Sequence, residues 1–181
     1  RDCLLSRGLG DVYKRQKLGA DGVVFGCLTA DGEVDLTSMQ ILMEASKGLS
    51  VTFHRAFDVC RNPQKALEEI IELGCNRILT SGQQPTAEQG IGLLKELQGL
   101  AAGRITLLAG CGVNENNIAR IAAGTGINEF HFSARESIQS EMKFRNEVVS
   151  MGGTVHINEY ERNVTSVRRV KETVEALYKG M

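Results

Sequence analysis

Five short apolar runs recur along the chain, roughly 25 to 28 residues apart, and each closes on a small or polar residue at its C-terminal end. They are Gly22-Val23-Val24-Phe25-Gly26, Val51-Thr52-Phe53-His54-Arg55, Arg77-Ile78-Leu79-Thr80-Ser81-Gly82, Ile105-Thr106-Leu107-Leu108-Ala109-Gly110 and Glu129-Phe130-His131-Phe132-Ser133-Ala134. Runs this short, bounded by Gly and capping residues and followed by a helical period, predict strands buried on both faces. Repeated strand-helix units predict an α/β fold with a parallel sheet. Hydroxyls, imidazoles and glycines gathered at strand C-termini suit the mouth of a (β/α) barrel or the switch point of a doubly wound sheet.

The intervening segments carry helix start and stop signals. Asp35 precedes Leu36, Met39, Leu42 and Met43, with a stop at Lys47-Gly48. Asn62-Pro63 supplies a cap and then Pro at the first helical position, and Leu67, Ile70, Ile71 and Leu73 follow before Gly74. Thr86 predicts the start of a third helix through Ile91, Leu94 and Leu97, and Asn114 or Asn116 that of a fourth through Ile118 and Ile121. Ser166 opens a last helix with Val167, Val170, Val174 and Leu177 on one face. Arg135 to Thr165 reads as an excursion after the fifth strand, with Thr154-Val155-His156-Ile157 where a sixth would fall by period. The Ser133-Ala134-Arg135 turn is expected to begin a short helix.

A chain of 181 residues with 42% hydrophobic content supports one domain. Eight barrel units need about 250 residues, so roughly three units are lacking. That shortfall would leave edges unpaired and the barrel interior open, and the chain alone is expected to be poorly soluble. Arg1 to Gln16 lacks the apolar face expected of a helix ending at Lys17-Leu18-Gly19, and resembles translated adapter or vector sequence. It is read as a non-native leader, leaving residues 17–181 as a partial barrel domain.

The net charge of −1 gives no electrostatic footprint for nucleic acid or an anionic membrane, and no apolar run approaches the length of a membrane span. Five cysteines without a close pair argue against a disulfide framework and for a reducing cytoplasm.

Side-chain alternation along a strand decides which candidates share a face. His131 and Ser133 oppose Phe130 and Phe132, while Thr52 and His54 oppose Phe53. With the phenylalanines under the helices, both imidazoles point into the barrel near its mouth; the alternative is a pair of hydrogen-bonded core histidines. Gly110-Cys111-Gly112 lets backbone approach a ligand closely, or simply makes a tight turn. Thr80-Ser81-Gly82 adds hydroxyl donors or an ordinary turn. In His54-Arg55-Ala56-Phe57-Asp58, Arg55 can clamp an anionic oxygen with Asp58 orienting it, or the two form a rim ion pair. The catalytic candidates on an enzyme reading are therefore His54, Arg55, Asp58 and His131. The ligand-binding candidates are Thr80, Ser81, Gly82, Gly110, Gly112 and Ser133. Cys27 and Cys111 fall just past strand ends, and thiolate with imidazole suits Cu(I) or zinc; both equally suit small buried hydrophobes.

Taken together, Asp21-Gly22-Val23-Val24-Phe25-Gly26 with Leu28-Thr29-Ala30-Asp31-Gly32, Thr52-Phe53-His54-Arg55-Ala56-Phe57-Asp58, Ile78-Leu79-Thr80-Ser81-Gly82, Gly110-Cys111-Gly112-Val113, His131-Phe132-Ser133-Ala134 and Ser150-Met151-Gly152-Gly153 resemble the CutC family, the copper homeostasis protein family. The resemblance runs from about Lys17 to Leu177. It implies a TIM barrel, a cytoplasmic location, homo-oligomers in the full-length protein and a copper ion as ligand. It makes the five strands the fourth to eighth of the barrel and places the Ser150-Met151-Gly152 segment in a loop near the mouth. The first three strands, with an Arg-Gly-Gly segment and the cysteines invoked for copper, have no counterpart here, so the copper role attaches to no residue of this chain. Two readings stand: a copper-handling protein, and a barrel enzyme acting on a small phosphorylated or carboxylated substrate.

Overall fold

The computed structural model describes residues 19–146, 148–149, 152 and 158–180. The suspected leader and the segment Thr154 to Ile157 lie outside the described residues, as does most of Ser150-Met151-Gly152-Gly153.

Five strands form one sheet in the order β1-β2-β3-β4-β5, every neighbouring pair parallel. They are β1 (Gly22–Phe25), β2 (Ser50–Phe53), β3 (Arg77–Thr80), β4 (Thr106–Gly110) and β5 (Glu129–His131). Between them run α1 (Leu36–Ala45), α2 (Pro63–Glu72), α3 (Ile91–Ala101) and α4 (Ile118–Thr125). This is part of a TIM-barrel-like α/β fold, with strand order following chain order as consecutive crossovers require.

The helix starts follow local chemistry. Asp35 accepts from Ser38 N at 3.0 Å, Asn62 from Lys65 N at 3.0 Å and Ser166 from Arg169 N at 3.5 Å. Each side chain satisfies an N–H that the first helical turn leaves without a partner. Two starts fall later than the sequence predicts. α3 begins at Ile91 because Thr86 to Gly90 turns back along the preceding loop, where a Cβ on Gly90 would overlap the Ser81 carbonyl. α4 begins after Asn117, whose Oδ1 makes no cap bond to the helix and instead accepts the Asn114 N–H at 2.9 Å, so Asn114 stays in the loop.

The strands alternate as the sequence implies. Val23, Val51, Phe53, Ile78 and Leu107 are buried with Leu67, Ile70, Leu94, Leu97, Ile118 and Ile121 of the helices. The opposite face carries Val24, Thr52, Arg77, Leu79, Leu108, Glu129 and His131, which the register places side by side. That concave face is only partly covered: Val24 on the first strand is 62% exposed.

After β5 the sequence expectation of a short helix is wrong. Arg135–Gln139 is a strand, β6, paired antiparallel with β7 (Glu161–Thr165), and α5 (Val167–Lys179) follows. Ala134 adopts φ 45° and its carbonyl accepts from Ser166 N at 3.0 Å, so the chain leaves β5 in a sharp turn. Arg135, Ser137 and Gln139 are then exposed while Glu136 and Ile138 are half-buried, the period of a strand.

Candidate functional site at the strand C-termini

Because the sheet is parallel, the residues just past β2, β3, β4 and β5 gather at one end. His54, Ser81, Gly110 and His131 all belong to that end, and Cys75, buried just before β3, sits at the other.

The best-connected group there is Asp58, on the 3₁₀ turn Arg55–Val59 that follows β2. Its Oδ1 accepts from Thr80 Oγ1 at 2.6 Å, Ser81 N at 3.0 Å and Gln83 N at 3.3 Å. Its Oδ2 accepts from Arg55 Nε at 2.6 Å and Ser81 Oγ at 3.0 Å. The carboxylate thus joins the ends of two adjacent strands through five donors, and its side chain is only 6% exposed. Gln83 strengthens the same junction by donating from Nε2 to the Cys60 carbonyl at 2.7 Å.

Arg55 differs from its partner in being 44% exposed. Its Nη2 donates to Ser81 Oγ at 3.1 Å. The Asp58 hydrogen bond, followed by the Asp58 charge and a smaller contribution from the Cys111 thiol, raises the guanidinium pKa against a modest desolvation cost. Arg55 is therefore a fixed cation at the rim of the concave face.

Thr80 and Ser81 are fully buried. Their hydroxyls serve the Asp58 junction, and Ser81 Oγ also lies 2.6 Å from the Gln84 carbonyl. Gly82, at φ 69°, packs against Gly90. These three build the frame behind Arg55. Gly110 lies on the concave face, where a Cβ would collide with Leu79 Cδ1 and crowd His131 Cβ. Cys111 turns at φ 82° and donates from Sγ to the Pro85 carbonyl at 3.1 Å, so the loops after β3 and β4 are tied together. Gly112 packs on Thr86, while His131 and Ser133 are exposed on the far side of the mouth.

Cys27 follows β1 and Cys111 follows β4, with two strands between them in the sheet. No group of three or more His, Cys, Asp or Glu among the described residues is arranged to hold a metal ion. Burial, then the charge of Asp35, raises the pKa of Cys27 and keeps it a thiol. The described residues therefore offer no ligand set that fits a copper ion.

A feature missed by sequence reasoning lies at the other end of the concave face. Arg77 donates from Nε to Glu129 at 2.7 Å and from Nη1 to Ser50 Oγ at 3.1 Å, spanning β2 to β5. Strand parity contained the signal, since Ser50, Arg77 and Glu129 are the first residues of their strands and share a face.

Fold and site define part of a TIM-barrel-like α/β fold whose strand C-termini carry an anchored arginine and two histidines. The chain belongs to the CutC family, whose sequence profile it matches over residues 5–136. It is 74% identical over 169 residues to a family protein CutC from Bacteroides thetaiotaomicron, covering 93% of this chain and 68% of that one. A family protein CutC from Porphyromonas gingivalis is 47% identical over 167 residues, covering 92% and 67%. The chain thus spans about two thirds of these relatives. Among solved structures it is similar to one described provisionally as a copper homeostasis protein CutC from Streptococcus agalactiae, with TM-score 0.70 and 30% identity over 72% of this chain and 64% of that one. A structure described as native KDPGal, at TM-score 0.56 and 14% identity over 95% and 65% of the chains, shares the fold alone.

Proposed function

We propose that this protein serves copper homeostasis, the role named for its solved relative from Streptococcus agalactiae, through a mouth that binds a small phosphorylated or carboxylated ligand rather than a copper ion held by this chain's own thiols. The observation that carries the reading is Arg55, a half-exposed guanidinium held in place by a buried carboxylate. Arg55 and Asp58 are connected as an anion clamp and its support: Nε is committed to Asp58, and the planar group is presented at the end of β2. A soft-metal site needs converging thiolates or imidazoles, and no group of three or more His, Cys, Asp or Glu among the described residues is arranged to hold an ion. An enzyme acting on such an anion is the natural extension, with His54 and His131 on opposite sides of the mouth as acid-base candidates.

The four described cysteines are free, which supports a reducing cytoplasm, and a homo-oligomer is the assembly the family resemblance implies. No helix among the described residues is long and apolar enough to cross a membrane. Titration with inorganic phosphate and with malonate, followed by isothermal calorimetry, tests the reading. Binding that survives C27S/C111S and is lost in R55A supports it; saturable Cu(I) binding that C27S/C111S abolishes, with no anion response, refutes it.

A further inference from the structure

His54 has a role that its neighbours specify. It is the cap residue of the 3₁₀ turn, and its Nδ1 accepts the Ala56 N–H at 3.2 Å. An imidazole nitrogen that accepts carries no proton, so in the neutral ring the N–H is Nε2. The ring is held at this setting from two sides. A Cβ on Gly26 would stand 2.8 Å from Nδ1, and the Phe53 ring meets the imidazole edge-on at 6.2 Å. Nε2 makes no hydrogen bond among the described residues, and it is not among the buried polar atoms lacking a partner. Nε2 is therefore not sealed in the interior and is left without a partner among the described residues.

We propose that His54 is a specificity-determining residue of the mouth, locked by its own backbone as an Nε2–H donor, which selects a ligand offering an oxygen acceptor next to the charge held by Arg55. This rests on the anion-binding reading of the mouth and sharpens it to an oxyanion: a phosphate or carboxylate with one oxygen for the guanidinium and another for the imidazole N–H. The same lock works against a metal at His54. Coordination through Nε2 would move the proton to Nδ1, where it would face the Ala56 N–H and abolish the cap.

Long-range proton-nitrogen NMR of the imidazole in the intact protein tests the lock, with the His54 signals assigned by their loss in H54N. A bare Nδ1 and a protonated Nε2 are expected; the reverse tautomer overturns the proposal. Phosphate titration tests the role. Asn is a good cap and keeps an acceptor near Nδ1, so H54N should unfold at the wild-type midpoint yet bind phosphate about fivefold more weakly, the worth of one hydrogen bond. H54Q carries an amide donor out toward the Nε2 position and should recover part of that loss. If R55A abolishes binding while H54N binds as wild type does, the His54 role is wrong and the anion mouth stands. If wild type shows no response to phosphate or malonate, the mouth reading falls and this proposal with it.

Discussion

Replacing Asp58 by alanine would separate two possible sources of stability at the mouth, the ion pair and the hydrogen bonds. The Arg55–Asp58 pair is short, but Arg55 is 44% exposed, and a pair screened on one side contributes about 0–1 kcal/mol. The hydrogen bonds weigh more. Thr80 and Ser81 are fully buried, and without the carboxylate the Thr80 hydroxyl and the Ser81 N–H lose their acceptor. Each stranded buried donor costs about 1–3 kcal/mol, so D58A should destabilise by about 3–4 kcal/mol after partial relaxation. That is a large share of a domain's usual ~5–15 kcal/mol. D58N keeps an oxygen for Thr80 and Ser81 but turns an amide N–H toward Arg55, and should cost about 1–2 kcal/mol. R55A should cost less than D58A by at least ~2 kcal/mol. Urea unfolding of the three variants gives the comparison. A D58A cost below ~1 kcal/mol, or an R55A cost equal to that of D58A, would show that the charge pair and not the hydrogen-bonded junction holds the two strand ends together.

Other outcomes follow from particular contacts. G90A should lower the urea midpoint sharply, by about 2 kcal/mol or more, because the added carbon overlaps the Ser81 carbonyl in a packed loop; a midpoint like wild type would mean that the loop after β3 yields freely. R77M should cost about 1–2 kcal/mol through its lost bonds to Glu129 and Ser50, and E129Q about half as much, since the amide can still accept from Arg77; equal costs in thermal denaturation would contradict this. Burial raises the thiols of Cys60 and Cys75 to about 11, so each favours the folded state fully below the unfolded value near 9 and loses that contribution as pH rises from 9 to 11. C75A should therefore show a flatter fall in stability over pH 9 to 11 than wild type, and identical slopes would refute the assignment.

Local chemistry made much of the fold legible. Asp35, Asn62-Pro63 and Ser166 announce their helices because a cap and its N–H lie within three residues. The concave-face positions of Thr52 and His131 follow from period-two alternation next to phenylalanines that belong under helices. Contacts closed across long stretches of sequence were the ones missed. The start of β6 reads as a helix start in the sequence because its partner is β7, more than twenty residues downstream, and Arg135 to Gln139 carries no hydrophobic face of its own. Thr80 and Ser81 read as ligand donors because a hydroxyl at a strand end looks the same whether it meets solvent or a carboxylate from the next loop. Only the fold brings Asp58 against them, 22 and 23 residues away in sequence. Gly90 gave no signal beyond its helix-breaking tendency, though its closeness to Ser81 sets where α3 can begin.

A mouth that binds an oxyanion and not a soft metal, as proposed, separates cleanly from a copper site in solution. The most direct measurement is a paired titration of one protein preparation, with inorganic phosphate in one arm and Cu(I) buffered by a competing chelator in the other, each repeated on R55A and on C27S/C111S. The expected result is saturable phosphate binding that R55A removes and C27S/C111S leaves unchanged, with no Cu(I) withdrawn from the chelator. Stoichiometric Cu(I) capture that disappears in C27S/C111S, together with a flat phosphate titration, would contradict it.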